Sequence, residues 1–223
     1  MPGITKAIIF DLDSCLSAAD EPGAGIFQPA FAAIIQANHG SHTQAALDAA
    51  FTDMWRLPYD FVARKHGFSA EMFAAGWRAL AQVEVATPMT GYGDLDALKE
   101  LPVARFLVTS GFRRLQESKI KALGIASWFT AICVDAIDEP GHRGKQSIFE
   151  DLLRTHRLRP SEVMIVGDNP DSELAAGDRL GIRTVQTLRP GVPVAQATYH
   201  IHSLHELREL LDRSAGAPER PEA

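Results

Sequence analysis

Cysteine is nearly absent: 223 residues contain only Cys15 and Cys133. Two cysteines do not make a disulfide framework, and their scarcity fits a reducing compartment. Apolar runs of membrane-spanning length are missing, so no transmembrane helix is expected. No charged-apolar-small leader pattern precedes the first apolar run. These absences together lead to the expectation of a cytoplasmic protein. Positive charge is also in short supply. Lys+Arg number 22 against 28 Asp+Glu, the net charge is −6, and no basic run occurs. That balance argues against nucleic acid or an anionic membrane as the main partner. No internal repeat is visible. Residues 214–223, rich in Ala, Pro, Gly and charge, read as a frayed tail. A monomer or a homodimer is expected.

What the chain does have is alternation. Apolar, β-branched runs at Ile4–Phe10, Val103–Thr109, Ala131–Val134, Val163–Val166 and Arg183–Thr187 read as strands, with Thr198–Ile201 a weaker last one. Helical patterns lie between them, at Asp94–Leu101, Arg113–Leu123, Ser147–Thr155, Ser172–Leu180 and Leu204–Leu211. Such alternation predicts βαβ units and a parallel α/β sheet with right-handed crossovers. One stretch breaks the rhythm. Residues 17–89 hold helical patterns only: Pro29–Asn38, Thr43–Leu57, Pro58–His66, and one capped by Ser69 that runs to about Val83. This all-helical block leaves and rejoins the sheet unit beside the first strand end, as a lid would. The expected division is a sheet core of residues 1–16 and 90–213 with a helical insertion at 17–89.

The strand ends carry the chemistry. The first run ends in Asp11-Leu12-Asp13, and open α/β sheets place ligands at the carboxyl ends of their strands. At a spacing of two the acids can face each other across a bent loop, one as nucleophile and metal ligand, the other as proton donor. Taken alone such a pair is more often a loop or a cap. The second run ends in Thr109-Ser110-Gly111, a hydroxyl and backbone N–H groups at a strand-to-helix turn, suited to a phosphate. The fourth ends in Gly167-Asp168-Asn169-Pro170-Asp171-Ser172-Glu173, a second acidic cluster. Hard cations such as Mg2+ take oxygen ligands, and Asp11 and Asp168 supply carboxylates, with Asp13 offering its backbone carbonyl. Between these runs lies Glu139-Pro-Gly-His-Arg-Gly-Lys145, whose lysine could offset the charge of a nucleophile and a phosphoryl group.

Together these segments resemble the four motifs of the haloacid dehalogenase superfamily, phosphatase branch, in their usual order. The resemblance covers nearly the whole chain and implies a Rossmann-like core with a C1-type helical cap. It implies Asp11 as the nucleophile that forms an aspartyl-phosphate and binds Mg2+. It implies Asp13 as backbone metal ligand and as acid, then base. Ser110, with Gly111, would bind the phosphoryl oxygens, and Arg113 nearby could reach the substrate. Lys145 and Mg2+ would offset negative charge, Asp168 would complete the metal ligands, and Glu173 and Asn169 would support them. The chain departs from the pattern in three places. Cys15 stands where Thr or Val is usual, Glu173 replaces an Asp, and motif three lacks a Lys-Pro pair, so Arg143 competes with Lys145 for it.

The expected activity is Mg2+-dependent hydrolysis of a small phosphorylated metabolite. A phosphomutase would use the same four motifs. A 2-haloacid dehalogenase would have no use for the acid at Asp13, and a non-catalytic binding protein would not need every catalytic position filled. Substrate choice is expected in the helical block, where Trp55, Arg56, Tyr59, Arg64, Lys65, His66 and Arg78 are the polar or aromatic candidates. Glu21-Pro22-Gly23-Ala24-Gly25 has the glycine content of a hinge.

Overall fold

The computed structural model describes residues 4–215. Most of the expected frayed tail, residues 216–223, lies outside the described residues; Ser214 and Ala215 belong to the last helix, which the tail reading did not anticipate. Six strands form one sheet: β1 (Ala7–Phe10), β2 (Ala104–Gly111), β3 (Ala131–Ala136), β4 (Val163–Gly167), β5 (Arg183–Thr187) and β6 (Tyr199–Ile201). Their order is β3-β2-β1-β4-β5-β6, and every pairing is parallel. The strand order reverses at β1, which lies between β2 and β4, and ligand crevices form at such a point.

The apolar runs explain the sheet. All four residues of β1 and all five of β4 are buried, as in a sheet covered on both faces. Alternate residues serve opposite faces. Ile8, Phe10, Leu107, Met164 and Val166 join one core, while Ala7, Ile9, Phe106, Val108 and Ile165 join the other.

The insertion is helical as expected. It comprises α1 (Gln28–Ala37), α2 (Gln44–Asp53), α3 (Tyr59–His66) and α4 (Ala70–Leu80). Local signals set its ends. Thr43 accepts a hydrogen bond from the Ala46 N–H and Ser69 one from the Met72 N–H, each a side-chain cap. Gly67 ends α3 in the left-handed conformation. The predicted helix Thr43–Leu57 stops early, at Asp53, because the chain turns before Pro58. The four helices have a core of their own, built on residues such as Phe31, Ile34, Leu47 and Met72, and Phe112 and Leu115 of the sheet unit extend it.

Five further helices belong to the sheet unit: α5 (Ala97–Glu100), α6 (Arg113–Leu123), α7 (Lys145–Thr155), α8 (Ala175–Leu180) and α9 (Glu206–Ala215). The predicted helix Asp94–Leu101 shrinks to α5, and Asp94 instead takes a buried ion pair with Arg189, at 2.8 Å. The Arg189 guanidinium also donates to the Cys15 carbonyl and stacks over the Tyr92 ring. The predicted helix Ser172–Leu180 is divided, its first part being a π-helical turn at Pro170–Leu174. Such turns are rare and often lie at functional sites.

Candidate active site

The β1 carboxyl end delivers Asp11, whose N–H donates to the Val166 carbonyl and so continues the sheet register. The chain then bends back on itself. Ser14 adopts the left-handed conformation at φ 55°, and the Leu16 and Ser17 N–H groups return to the Leu12 carbonyl. This bend separates the two acids, and both line one cavity.

Asp11 is buried with Lys145. The lysine Nζ lies 2.8 Å from Asp11 Oδ1 and 2.7 Å from Glu173 Oε2. Glu173 reaches this position because Gly167 has no Cβ; one built there would collide with the Glu173 carboxyl. Its other oxygen accepts the Asn169 N–H at 2.6 Å. Lys145 is therefore fixed by two carboxylates. Burial alone would lower its pKa, but Asp11 and Glu173 outweigh that and hold the ammonium charged. The competing residue, Arg143, pairs with Asp151 at the exposed start of the helix. Lys145 rather than Arg143 reaches the carboxylates.

Asp11, Asp168 and Glu173 each offer an oxygen within 4.8 Å of the others. Three carboxylates against one lysine leave an excess of negative charge. The surroundings register it. Burial raises the Asp11 pKa well above its ordinary value, Lys145 opposes this, and Glu173 and Asp168 add to it. Asp168 is pushed up to about 7, by burial first and by Glu173 second. Among the described residues no hydrogen bond reaches the Asp168 carboxylate. An oxygen-only donor set with uncompensated charge suits a hard divalent cation such as Mg2+. Asp11 and Asp168 would hold it. Glu173, with one oxygen on Lys145 and the other on Asn169, serves to fix the lysine.

Asp13 has different surroundings. Lys119 Nζ lies 2.6 Å from Oδ1, and Gln116 Nε2 lies 3.3 Å from Oδ2. Neither residue was among the sequence candidates. A signal did exist: Gln116 and Lys119 are polar residues on the buried face of α6, beside Leu115 and Ile120. Ser110 donates its hydroxyl to Asp135 Oδ2 at 3.2 Å, and Asp135 also accepts the Gly144 N–H. That carboxylate ties the β2 end to the loop that delivers Lys145.

Arg113 is not brought to the cavity. Glu139 and Glu117 hold its guanidinium, and it lines a separate surface groove. Cys15 is buried, with its thiol toward the Val166 carbonyl, and burial pushes its pKa up. It is a packing residue here.

The cavity has a volume of about 450 Å³. The sheet unit forms its floor and the helical block its roof, chiefly Phe27, Trp55, Leu57, Tyr59 and Leu80. Of the seven candidates in that block, Trp55, Arg56 and Tyr59 line the cavity. Arg56 also crosses to the sheet unit and donates to the Gly191 carbonyl at 2.8 Å. Arg64, Lys65 and His66 pair with acids of the block itself, and Arg78 donates to the Ala74 carbonyl. At the two crossings between units, Glu21 accepts the N–H groups of Thr90 and Gly91.

A buried lysine fixed between strand-end carboxylates, under a helical roof, is the pattern of a hydrolase built on the haloacid dehalogenase core. Residues 5–181 match the haloacid dehalogenase-like hydrolase family, and the chain belongs to it. It is 29% identical over 111 residues to the phosphoserine phosphatase of Thermus thermophilus, an alignment that covers 47% of this chain and 43% of that enzyme. It is 25% identical over 203 residues to the glyceraldehyde 3-phosphate phosphatase of Methanopyrus kandleri, covering 82% of this chain and 84% of the relative. In structure it resembles a HAD-superfamily hydrolase of subfamily IA, variant 1, from Geobacter sulfurreducens, at a TM-score of 0.63 and 15% identity. That likeness spans 94% of this chain and 97% of the other.

Proposed function

We propose that the protein is a Mg2+-dependent phosphomonoesterase that hydrolyses a small phosphorylated metabolite through an aspartyl-phosphate on Asp11. The observation that supports this most is the contrast between its two carboxylates. Asp11 is buried against Lys145, while Asp13, two positions on, opens on the same cavity between Lys119 and Gln116. A reaction that uses both needs a nucleophile and a separate proton carrier. Cleavage of a phosphate ester needs both, whereas loss of a halide needs no acid.

The chemistry follows from these positions. An Asp11 carboxylate oxygen attacks phosphorus, and the bond from phosphorus to the ester oxygen breaks. Asp13 gives its proton to that oxygen, so the product leaves as an alcohol. Water then attacks the phosphorus of the aspartyl-phosphate and loses a proton to Asp13. The bond to Asp11 breaks and inorganic phosphate departs. Lys145 offsets the charge that would repel a phosphate dianion from Asp11. Ser110 and the backbone at Gly111 line the cavity wall, and the Ser110 hydroxyl would turn from Asp135 to donate to a phosphoryl oxygen. Asp11 and Asp168 would hold a divalent cation, which would supply the further positive charge that keeps both carboxylates ionised.

We read residues 17–89 as a lid and residues 1–16 with 90–213 as the catalytic unit. The apolar roof excludes water from the carboxylates, which strengthens every charge interaction beneath it. The names of the two relatives given above support a phosphorylated substrate. The test is phosphate release over a panel of sugar phosphates, nucleoside monophosphates and small phosphorylated acids, with Mg2+. Asp11→Asn is the blank, and EDTA should stop turnover until Mg2+ is restored. Activity retained by Asp11→Asn or in EDTA would refute the assignment. Chloride release from 2-chloropropionate would favour the dehalogenase instead.

A further inference from the structure

We propose that Lys119 is a positioning residue that, with Gln116, aims the Asp13 carboxylate for proton transfer; this rests on the phosphatase reading above. The geometry is a two-point hold. Lys119 donates to one oxygen of Asp13 at 2.6 Å and Gln116 to the other at 3.3 Å. The Gln116 amide is itself fixed, because its oxygen accepts the Thr109 hydroxyl at 3.0 Å, which leaves the NH2 end for Asp13. Gly111 makes the approach possible: a Cβ there would lie 2.7 Å from Gln116 Nε2. The two donors are three positions apart on α6 and so share a face.

Burial makes the pairing unusual. The Lys119 side chain is 4% exposed and that of Asp13 27%. An ammonium taken this far from water loses much of its hydration, and one ion pair does not reliably restore it. A merely structural pair would be no less stable with both groups at the surface. The arrangement instead fixes a carboxylate at the cavity wall, on a bent loop that passes through the left-handed Ser14. Proton transfer needs that carboxylate within hydrogen-bond reach of the leaving oxygen, and a freely rotating Asp13 would lose that alignment. Because α6 follows β2, the strand-helix unit that presents Ser110 also aims the acid.

The test separates proton transfer from the rest of the reaction. First-turnover rates are measured for wild type, Lys119→Met and Gln116→Leu with Mg2+. One substrate is p-nitrophenyl phosphate, whose leaving group departs without a proton. The other is the fastest alkyl phosphate of the panel above. For Lys119→Met the alkyl phosphate should slow by about tenfold or more with KM changed by less than about twofold. Its first turnover of p-nitrophenyl phosphate should stay within about threefold of wild type. Gln116→Leu should show the same selectivity to a smaller degree, and it carries the test alone if Lys119→Met does not fold. Equal loss on both substrates, no loss on either, or a change confined to KM would overturn the inference. Wild type inactive on both substrates would instead refute the phosphatase reading itself.

Discussion

Replacing Asp168 by Asn should make the metal-free protein more stable at neutral and alkaline pH and leave it unchanged in acid. In the folded protein Asp168 titrates at about 7 instead of its ordinary 3.8, because burial and Glu173 oppose its charge. A raised carboxyl favours the protonated folded state. The stability it contributes is complete below about pH 4 and is lost as the pH climbs through about 7. The displacement corresponds to about 4 kcal/mol, and partial exposure of the group brings the expected effect to about 2–4 kcal/mol. For a chain of this length that is a Tm difference on the order of 10 °C. The assay is urea denaturation in EDTA at pH 4.5 and pH 8, wild type against Asp168→Asn. Other titrating groups are common to both proteins, so the difference isolates Asp168 and its effect on its neighbours. Mg2+ should reverse the order at pH 8, since the cation stabilises only the form that binds it. Parallel pH curves for the two proteins would refute the picture of an uncompensated carboxylate cluster.

Two other perturbations follow from buried charge. Arg189→Met leaves Asp94 without its guanidinium and should cost about 3–5 kcal/mol, read by thermal denaturation; a loss below about 1 kcal/mol would place this pair among the weak surface ones. Lys145→Ala should abolish phosphate release while Arg143→Ala leaves it near wild type. The reverse result would return motif three to Arg143.

The centre of the sheet was legible because β1 and β4 are buried on both faces and so read as continuous apolar runs. The insertion was legible because that signal disappears between Ser17 and Met89. Of the site, the residues at strand ends could be found in the sequence, since a strand end fixes where a side chain emerges. Lys145 and Arg143 could not be separated, because Arg143 lies in, and Lys145 directly after, a loop whose path is set by tertiary contacts, among them the Gly144 N–H on Asp135. Arg113 looked available to the substrate from its place after Ser110. Nothing in the sequence reveals that Glu117 and Glu139 hold it elsewhere. Gln116 and Lys119 were missed because a polar residue in a helix reads as surface until the helix is docked. Asp94 was absorbed into a helix pattern, and its partner Arg189 lies 95 positions away.

The central place of β1 in the sheet has a consequence for how the chain folds. β1 pairs with β4, and the two segments are far apart in sequence: Cys15 and Val166, which touch, are separated by 151 positions. Closing so long a loop has an entropic cost that nearby contacts do not share, and structures rich in such pairings form slowly. Asp11 and Asp168 become neighbours only when that pairing is complete. A chain in which β1 and β4 have not yet paired therefore carries the acids without the cluster, and the repulsion among them arises only with that pairing. Divalent cations present during refolding would then act only after β1 and β4 have paired, and should slow unfolding more than they speed folding.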